Sequence, residues 1–271
     1  MGKTLVLDSR NENAKEENRR GKIREGSLEM TKKSAIFSLS TDLVKNQKEI
    51  VNKHNEFRRS VFPPATNMLR MQWCNESARN AQNWAEKCTL EHSSKDQRRI
   101  SIGCGENIYK ASYAASWSKV IGFWNSEYEN FIFGTGPKTN KSVIEDYAQV
   151  IWYSSWRIGC GISYCANASE EYFYVCHYCP GGSNKNKLSM PYVRGKCCGA
   201  CPNDCDNGLC RSKDTDLIPD KAGDKNGLRT TLHNMERAKV LYAYKDVVLD
   251  KGVRVENTFL EKQNVDFIFG T

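Results

Sequence analysis

The chain has 271 residues, of which 39% are hydrophobic, together with twelve cysteines and a formal net charge of +8 at pH 7. This length suits one large domain or two small ones, and the apolar content is sufficient to build a core. Lysine and arginine are interspersed with acids and no DNA- or RNA-binding motif accompanies them, so we interpret the charge as a solvated basic surface and exclude nucleic acid as a partner. No stretch is long and apolar enough to form a transmembrane segment.

Residues 1–40 are polar, charged and without a clear hydrophobic period, and we predict that they form a disordered leader. They contain no apolar core of the kind that a secretory signal requires. Myristoylation is also excluded, because Val6 stands where Ser or Thr is needed. Two explanations remain: export through a signal absent from this chain, or an alternative product with a replaced first segment, which we favour.

Apolar residues at helical spacing predict three helices between residues 41 and 131. The first begins at the Thr41-Asp42 cap and stops at Pro63-Pro64, the second follows Asn75, and the third runs from about Ser116 to Phe131. The predicted buried faces are Ile50, His54, Phe57 and Val61 in the first helix, Ala78, Ala81, Ala85 and Cys88 in the second, and Trp117, Val120, Ile121, Trp124, Tyr128 and Phe131 in the third.

The stretch from Ser142 to Gly182 predicts a fourth helix followed by two strands. Val143, Tyr147 and Val150 fall at helical spacing. RIGCGISYC and EYFYVCHYC are rich in aromatic and β-branched residues, which favours strands, and residues 166–170 between them are predicted to close a hairpin.

All twelve cysteines lie between Cys74 and Cys210. An even number at short spacings predicts a disulfide framework formed in an oxidising compartment, although spacing alone leaves about 15 pairings for six cysteines. A zinc-thiolate site is the competing interpretation, because Cys176-His-Tyr-Cys179 and Cys198-x-x-Cys201 have zinc-like spacing. Free-thiol counting under denaturing, non-reducing conditions distinguishes the two.

Several motifs resemble, in the same order, those of the CAP superfamily and within it the cysteine-rich secretory proteins. EIVNKHNEFRRSVFPPATNMLRMQW resembles the opening helix and loop, Cys104-Gly-Glu-Asn107 the CGEN motif, DYAQVIW and YVCHYCPGG the two family signatures, and CPNDCDNGLC the hinge. The resemblance implies an α+β fold class, with a three-layer α–β–α sandwich followed by a small disulfide-rich hinge. We accordingly divide the chain into a leader (1–40), a CAP domain (41–182), a linker (183–196), a hinge (197–210) and an unmatched tail (211–271) that we expect to be flexible.

The resemblance also implies five disulfides. Three belong to the CAP domain and two to the hinge: Cys88–Cys165, Cys104–Cys179, Cys160–Cys176, Cys198–Cys205 and Cys201–Cys210. Cys74 and Cys197 remain, and either they pair with each other or they are free thiols. The sequons at Asn75, Asn140 and Asn167 are expected glycosylation positions in a secreted chain.

Family members carry two His and two Glu around a central cleft. His92, Glu106 and Glu127 match three of these positions, but Asp146 replaces the second His. Loss of an imidazole makes the group more anionic and weakens zinc binding, although Asp remains a legitimate ligand. Alternatively, the acids repel each other and one takes up a proton. We therefore expect no required cofactor and a polar cleft without catalytic residues.

The resemblance implies a secreted, non-enzymatic interaction protein that acts in sperm maturation, sperm–egg interaction or innate defence. Its expected partner is a cell-surface or extracellular protein, with sterol or lipid as a further ligand class. Ion-channel regulation in the family requires further cysteines after the hinge, and residues 211–271 contain none, so we expect no channel activity. The competing hypotheses are a metal-dependent hydrolase that uses His92, Glu106 and Glu127, and a silent, misprocessed isoform.

Overall fold

The computed structural model describes residues 5–166, 168–182 and 187–212. Its helices are α1 (Leu5–Leu39), α2 (Val44–Arg59), α3 (Asn75–Ala85), α4 (Trp117–Ser126) and α5 (Glu145–Val150), with a 3-10 helix at Glu127–Asn130. Its strands are β1 (Gln72–Trp73), β2 (Gly105–Ala111), β3 (Phe131–Ile132), β4 (Gly136–Pro137), β5 (Arg157–Tyr164), β6 (Tyr172–Cys179), β7 (Cys205–Asp206) and β8 (Leu209–Cys210). No described helix has the length and apolarity of a bilayer span.

The central sheet has the strand order β1-β5-β6-β2. β1 runs parallel to β5, whereas the other pairs are antiparallel. Side chains of β6 alternate between two cores, with Tyr174 and Tyr178 on the face covered by α2, α4 and α5, and Phe173 and Val175 on the face covered by α3. The predicted α+β sandwich of three layers is therefore confirmed.

Two glycines allow α3 to lie directly on the sheet. A Cβ atom at Gly159 would meet the backbone of Ala78, and one at Gly161 would meet the backbone of Gln82. Both glycines belong to β5, so the distance between helix and strand is set by main-chain atoms. The Gln82 side chain completes this contact, because its Oε1 accepts a hydrogen bond from the Ile162 N–H at 3.0 Å.

The prediction of a disordered leader is wrong for residues 5–39, which form α1. Two kinds of polar contact stabilise this helix, which has no apolar stripe. Charged residues one turn apart form ion pairs along the helix, as between Glu29 and Lys33 at 2.7 Å. The last turns dock on the domain, where Lys32 Nζ donates to Tyr164 Oη at 2.7 Å and to a Glu171 carboxylate oxygen at 2.6 Å.

A buried arginine fixes the end of α5. Arg58, only 1% exposed, donates to the carbonyl oxygens of Leu69, Val150, Trp152 and Tyr153 at 2.7–3.1 Å. The bonds to Val150 and Trp152 pair carbonyl groups at the end of the short helix, and those to Leu69 and Tyr153 join it to the loop before β1. The α2 helix therefore holds in place the helix that carries Asp146 and the loop before β1.

The described part of the predicted linker, residues 187–196, is packed against the domain rather than extended from it. Tyr192 is buried and donates its hydroxyl proton to the Pro63 carbonyl at 2.9 Å. The Thr66 N–H donates to the Val193 carbonyl at 2.8 Å. The linker interpretation is thus wrong for these residues, because an aromatic side chain inserts into the core; residues 183–186 lie outside the described residues.

The hinge is also joined to the domain. Cys210 N–H donates to the Met68 carbonyl, and Arg70 N–H donates to the Cys210 carbonyl, both at 2.8 Å. Leu209 is fully buried, so the β7–β8 hairpin adds to the core. The predicted tail lies outside the described residues from residue 213 onward.

Candidate functional site

Glu106 on the edge strand β2 is the centre of a buried polar cluster. Its side chain has no exposed surface. Oε1 accepts hydrogen bonds from the Ser93 N–H at 2.8 Å and from Arg98 Nη1 at 3.0 Å, and lies 2.9 Å from His92 Nδ1. Oε2 accepts from Ser93 Oγ at 2.7 Å and lies 3.0 Å from His177 Nε2. Both carboxylate oxygens are therefore fully engaged.

Electrostatics keeps Glu106 ionised. Burial by itself would raise the pKa of this carboxyl, but the hydrogen bonds from His177, His92 and Ser93 outweigh it and hold the pKa well below its usual range. The ionised carboxylate is paired directly with the Arg98 guanidinium. Glu106 therefore acts as a fixed anion that organises the loop containing residues 92–98.

His92 is the accessible member of this cluster, with 57% of its side chain exposed. The hydrogen bond to Glu106 raises the pKa of His92 against the opposing effect of burial, and the Asp146 carboxyl adds to the rise. His92 thus links the buried cluster to the acids of the neighbouring cleft.

Asp146 lies in the first turn of α5 and is one of three neighbouring acids. Burial raises the pKa of Asp146 to about 7, and the charges of Glu127 and Glu145 add to this effect. Burial also raises the pKa of Glu127, whose Oε2 accepts the Tyr147 N–H at 3.0 Å. Among the described residues, none donates a hydrogen bond to the Asp146 carboxyl, and the charge of His92 offsets its burial only in part.

The four residues expected from the resemblance are coupled to one another but do not converge on one point. His92 contacts Glu106, and Asp146 is coupled through charge to both Glu127 and His92. Within the described part of the chain, three metal-ligand atoms of His, Cys, Asp or Glu lie within 4.8 Å of one another only at Cys198, Cys201 and Cys210. The group formed by His92, Glu106, Glu127 and Asp146 does not fit zinc. It contains one imidazole, that of His92, and Arg98 already provides the cation beside Glu106.

The cysteines are arranged as the resemblance implied. The structure contains the bridges Cys88–Cys165, Cys104–Cys179, Cys160–Cys176, Cys198–Cys205 and Cys201–Cys210. The zinc-thiolate alternative does not fit this arrangement, because its sulfur atoms are all in disulfides. Cys74 is half-buried and Cys197 is exposed, and they are not joined to each other.

The sequence did not indicate that His177 and Arg98 would belong to the cluster. The placement of His177 follows from the ladder register that sets it opposite Glu106. Arg98 lies in a loop without any periodic signal. The register of the two strands was the only information that could have located His177.

A chain of buried hydrogen bonds connects His54 in α2 with the main chain of Asp146. His54 Nε2 lies 2.9 Å from Tyr178 Oη, and Tyr178 Oη accepts a hydrogen bond from Asn107 Nδ2 at 3.4 Å. Asn107 Nδ2 also donates to the Asp146 carbonyl at 3.0 Å. Burial lowers the pKa of His54 to about 3, so this imidazole is neutral.

Both described sequons have an exposed asparagine, and they differ in the exposure of the serine. Asn75 is exposed at the start of α3, but Ser77 of its sequon is buried with Oγ 3.2 Å from Cys179 Sγ. Asn140 lies in an exposed loop. Asn167 lies outside the described residues.

Comparison with known proteins agrees with this architecture. A family profile described as "CAP: Cysteine-rich secretory protein family" matches residues 51–178. Human cysteine-rich secretory protein 2 is 50% identical over 180 residues, which are 66% of this chain and 74% of that protein. The chain belongs to the cysteine-rich secretory protein family. Human cysteine-rich secretory protein 3 is 51% identical over the same shares of the two chains.

The fold of this family member also resembles a solved structure. The crystal structure of Na-ASP-1 superposes with a TM-score of 0.51 at 26% identity, covering 60% of this chain and 46% of that chain. The matched profile begins at residue 51. Helix α1, which docks through Lys32, therefore precedes the segment that defines the family.

Proposed function

We propose that this member of the cysteine-rich secretory protein family is an extracellular interaction protein that acts without catalysis. Disulfides form and persist in oxidising compartments, and five of them lie within the described residues. We propose that it acts either in reproduction, through sperm maturation or sperm–egg interaction, or in innate defence. Its partner is a cell-surface or extracellular protein.

The saturation of Glu106 is the observation that supports a role without catalysis. A general base must have a lone pair within reach of the proton that it removes. Both oxygens of Glu106 are already engaged by His92, Ser93, Arg98 and His177, and its pKa is held low. A carboxylate in this state is a poor proton acceptor. If Glu106 moved away from Arg98 to reach a substrate, a buried charge would be left unpaired.

The experiment measures binding and hydrolysis on the same oxidised preparation. Fluorescently labelled protein is added to sperm and to leukocytes, and we expect saturable binding that unlabelled protein displaces. Reduction and alkylation should abolish this binding, because the sandwich loses its cross-links. Hydrolysis of peptide and ester libraries that disappears both with a chelator and in Glu106→Gln would instead establish the metal-dependent hydrolase.

The channel question is tested separately. Residues 211–271 contain no cysteine, so we propose that they do not form a cysteine-rich channel-blocking module. Recombinant protein applied to voltage-gated calcium and potassium channels should leave both currents unchanged. Block that depends on the hinge disulfides would overturn this part of the proposal.

A further inference from the structure

A small surface pocket lies on α3, on the side that faces the loop formed by residues 91–99. It has a volume of about 190 Å³ and is lined by Asn80, Asn83, Trp84, Lys87 and Gln97. None of these residues belongs to the Glu106 cluster or to the acidic cleft. The pocket is therefore a separate feature of the domain, and it does not depend on the proposed function.

Three of the lining side chains are held in place by the neighbouring loop. Trp84 Nε1 donates to the Glu91 carbonyl at 2.8 Å, and Asn80 Nδ2 donates to the Arg99 carbonyl at 3.0 Å. Gln97 Oε1 accepts the Ser94 N–H at 3.0 Å. The bonds of Asn80 and Gln97 each use one end of an amide group, so the Asn80 carbonyl oxygen and the Gln97 amide protons remain available to a ligand.

The other two side chains have unused binding capacity. Within the described residues, no group forms a hydrogen bond with the Asn83 side chain, and no carboxylate pairs with the Lys87 ammonium. Lys87 Nζ lies 4.8 Å from the centre of the Trp84 ring. This stacking places a positive charge at the pocket beside an aromatic surface. Lys87 is the one ionisable residue of the lining.

Size and chemistry together define the ligand class. Sites for drug-sized molecules usually occupy about 300–1,000 Å³, so a pocket of about 190 Å³ suits a single ring. Three amide side chains offer both donors and acceptors, which matches a ring bearing several hydroxyl groups. Trp84 adds an apolar contact to the lining, beside the Lys87 side chain that lies over its ring. One ammonium group matches one negative charge.

We propose that this pocket binds an acidic monosaccharide, a pyranose ring that carries one carboxylate, as a terminal residue of a glycan. In this arrangement Lys87 pairs with the carboxylate, Trp84 packs against the ring, and the amides of Asn83 and Gln97 bind hydroxyl groups. The site is separate from the acidic cleft, because none of its lining residues belongs to that cleft.

The test compares two probes that differ only in the charged group: methyl β-D-glucuronide and methyl β-D-glucoside. Binding to the full-length, oxidised protein is followed by NMR through the Trp84 indole N–H resonance and by saturation transfer to the sugar. A ligand of this size is expected to bind with a Kd on the order of 1 mM. We expect the glucuronide to bind about tenfold more tightly than the glucoside, and salt should reduce that preference.

Variants separate the roles of the lining residues without disturbing the core. Lys87→Met retains the aliphatic stem over Trp84 and removes the charge, so it should abolish the preference for glucuronide and leave glucoside binding unchanged. Asn83→Ala should weaken both probes by about threefold to tenfold, the loss expected for one or two hydrogen bonds. Lys110→Met, on the exposed part of β2, is the matched control and should behave as wild type.

Three results would overturn the proposal. The first is the absence of a saturable shift with either probe up to about 50 mM, which corresponds to an affinity far weaker than expected. The second is equal affinity for the two probes, which contradicts the assignment of Lys87. The third is glucuronide binding that Lys87→Met leaves intact, which places the sugar elsewhere on the surface.

Discussion

His177 and Glu106 face each other across the β2–β6 ladder, and their side chains meet with Nε2 3.0 Å from Oε2. Neither side chain has any exposed surface. The other ring nitrogen of His177 is, within the described residues, a buried atom without a hydrogen-bond partner. The contact with Glu106 therefore accounts for the polar function of this histidine.

This pair leads to a prediction for two substitutions. His177→Leu removes one donor from a buried carboxylate and should lower the free energy of unfolding by about 1–3 kcal/mol. His177→Gln retains an N–H at the corresponding place but brings an amide oxygen into the same buried position, so it should lose less stability than His177→Leu. Urea unfolding with the disulfides intact measures both. A leucine variant as stable as wild type would show that the contact contributes nothing.

The second prediction concerns the pH dependence of Asp146. Burial raises its pKa from 3.8 to about 7, so the folded protein holds this proton more tightly than the unfolded chain does. The stabilisation is complete below pH 3.8 and is lost as the pH rises through about 7, with a total of at most about 4 kcal/mol. Asp146→Asn should therefore be more stable than wild type at pH 8 and similar to it near pH 4.

Thermal unfolding from pH 4 to pH 8 tests this difference between the two proteins. Glu106 is common to both proteins, so its contribution cancels in the comparison, whereas His92, whose pKa the Asp146 charge raises, adds a smaller difference. A difference that stays constant across the range would show that the Asp146 carboxyl titrates normally in the folded state.

The third prediction concerns zinc. Wild type should bind zinc weakly, because Asp146 replaces an imidazole and Arg98 is paired with Glu106. Asp146→His supplies the second imidazole and should increase zinc affinity by more than about tenfold. Isothermal titration calorimetry at pH 7.5 measures it, with Asp146→Asn as the control that removes the charge without adding a ligand. Equal zinc affinity in all three proteins would locate zinc away from this cleft.

The fourth prediction concerns Arg58, whose guanidinium binds four carbonyl groups. Arg58→Lys offers a single ammonium in place of the planar guanidinium and cannot reach them together. It should cost about 3–5 kcal/mol, because a buried charge keeps too few partners. Arg59→Lys, at the exposed neighbouring position, is the matched control and should change stability by less than about 0.5 kcal/mol. Equal stability of the two variants would contradict the structural role of Arg58.

Much of the sandwich could be predicted from periodicity and motifs. The stripe predicted from Trp117 to Phe131 located α4, whose Ser116 side chain caps it by accepting the Lys119 N–H. The predicted end was wrong, because the helix ends at Ser126 and Tyr128 is exposed. The two strands predicted from RIGCGISYC and EYFYVCHYC are β5 and β6. These elements were predictable because each carries its own local pattern of apolar residues.

The features that escaped prediction depend on contacts between distant residues. Helix α1 has no apolar stripe, and its last turns are held by residues such as Tyr164 and Glu171, far away in sequence. No sequence pattern marks Arg58 as buried, because its carbonyl partners are brought to it only by the fold. The separation of Asp146 from Glu106 likewise depends on how α5 packs beside β2.

The absence of side chains at two positions of β5 beneath α3 limits which substitutions this protein can accept. With Gly159 and Gly161 under the helix, the nearest contacts are between main-chain atoms, which cannot move aside as the end of a flexible side chain can. A methyl group at either position would displace α3 from the sheet. The pocket residues Asn80, Asn83 and Trp84, on the outer side of α3, would move with the helix. The geometry of that outer side is therefore specified by two residues that lie beneath the helix and cannot themselves touch a ligand there.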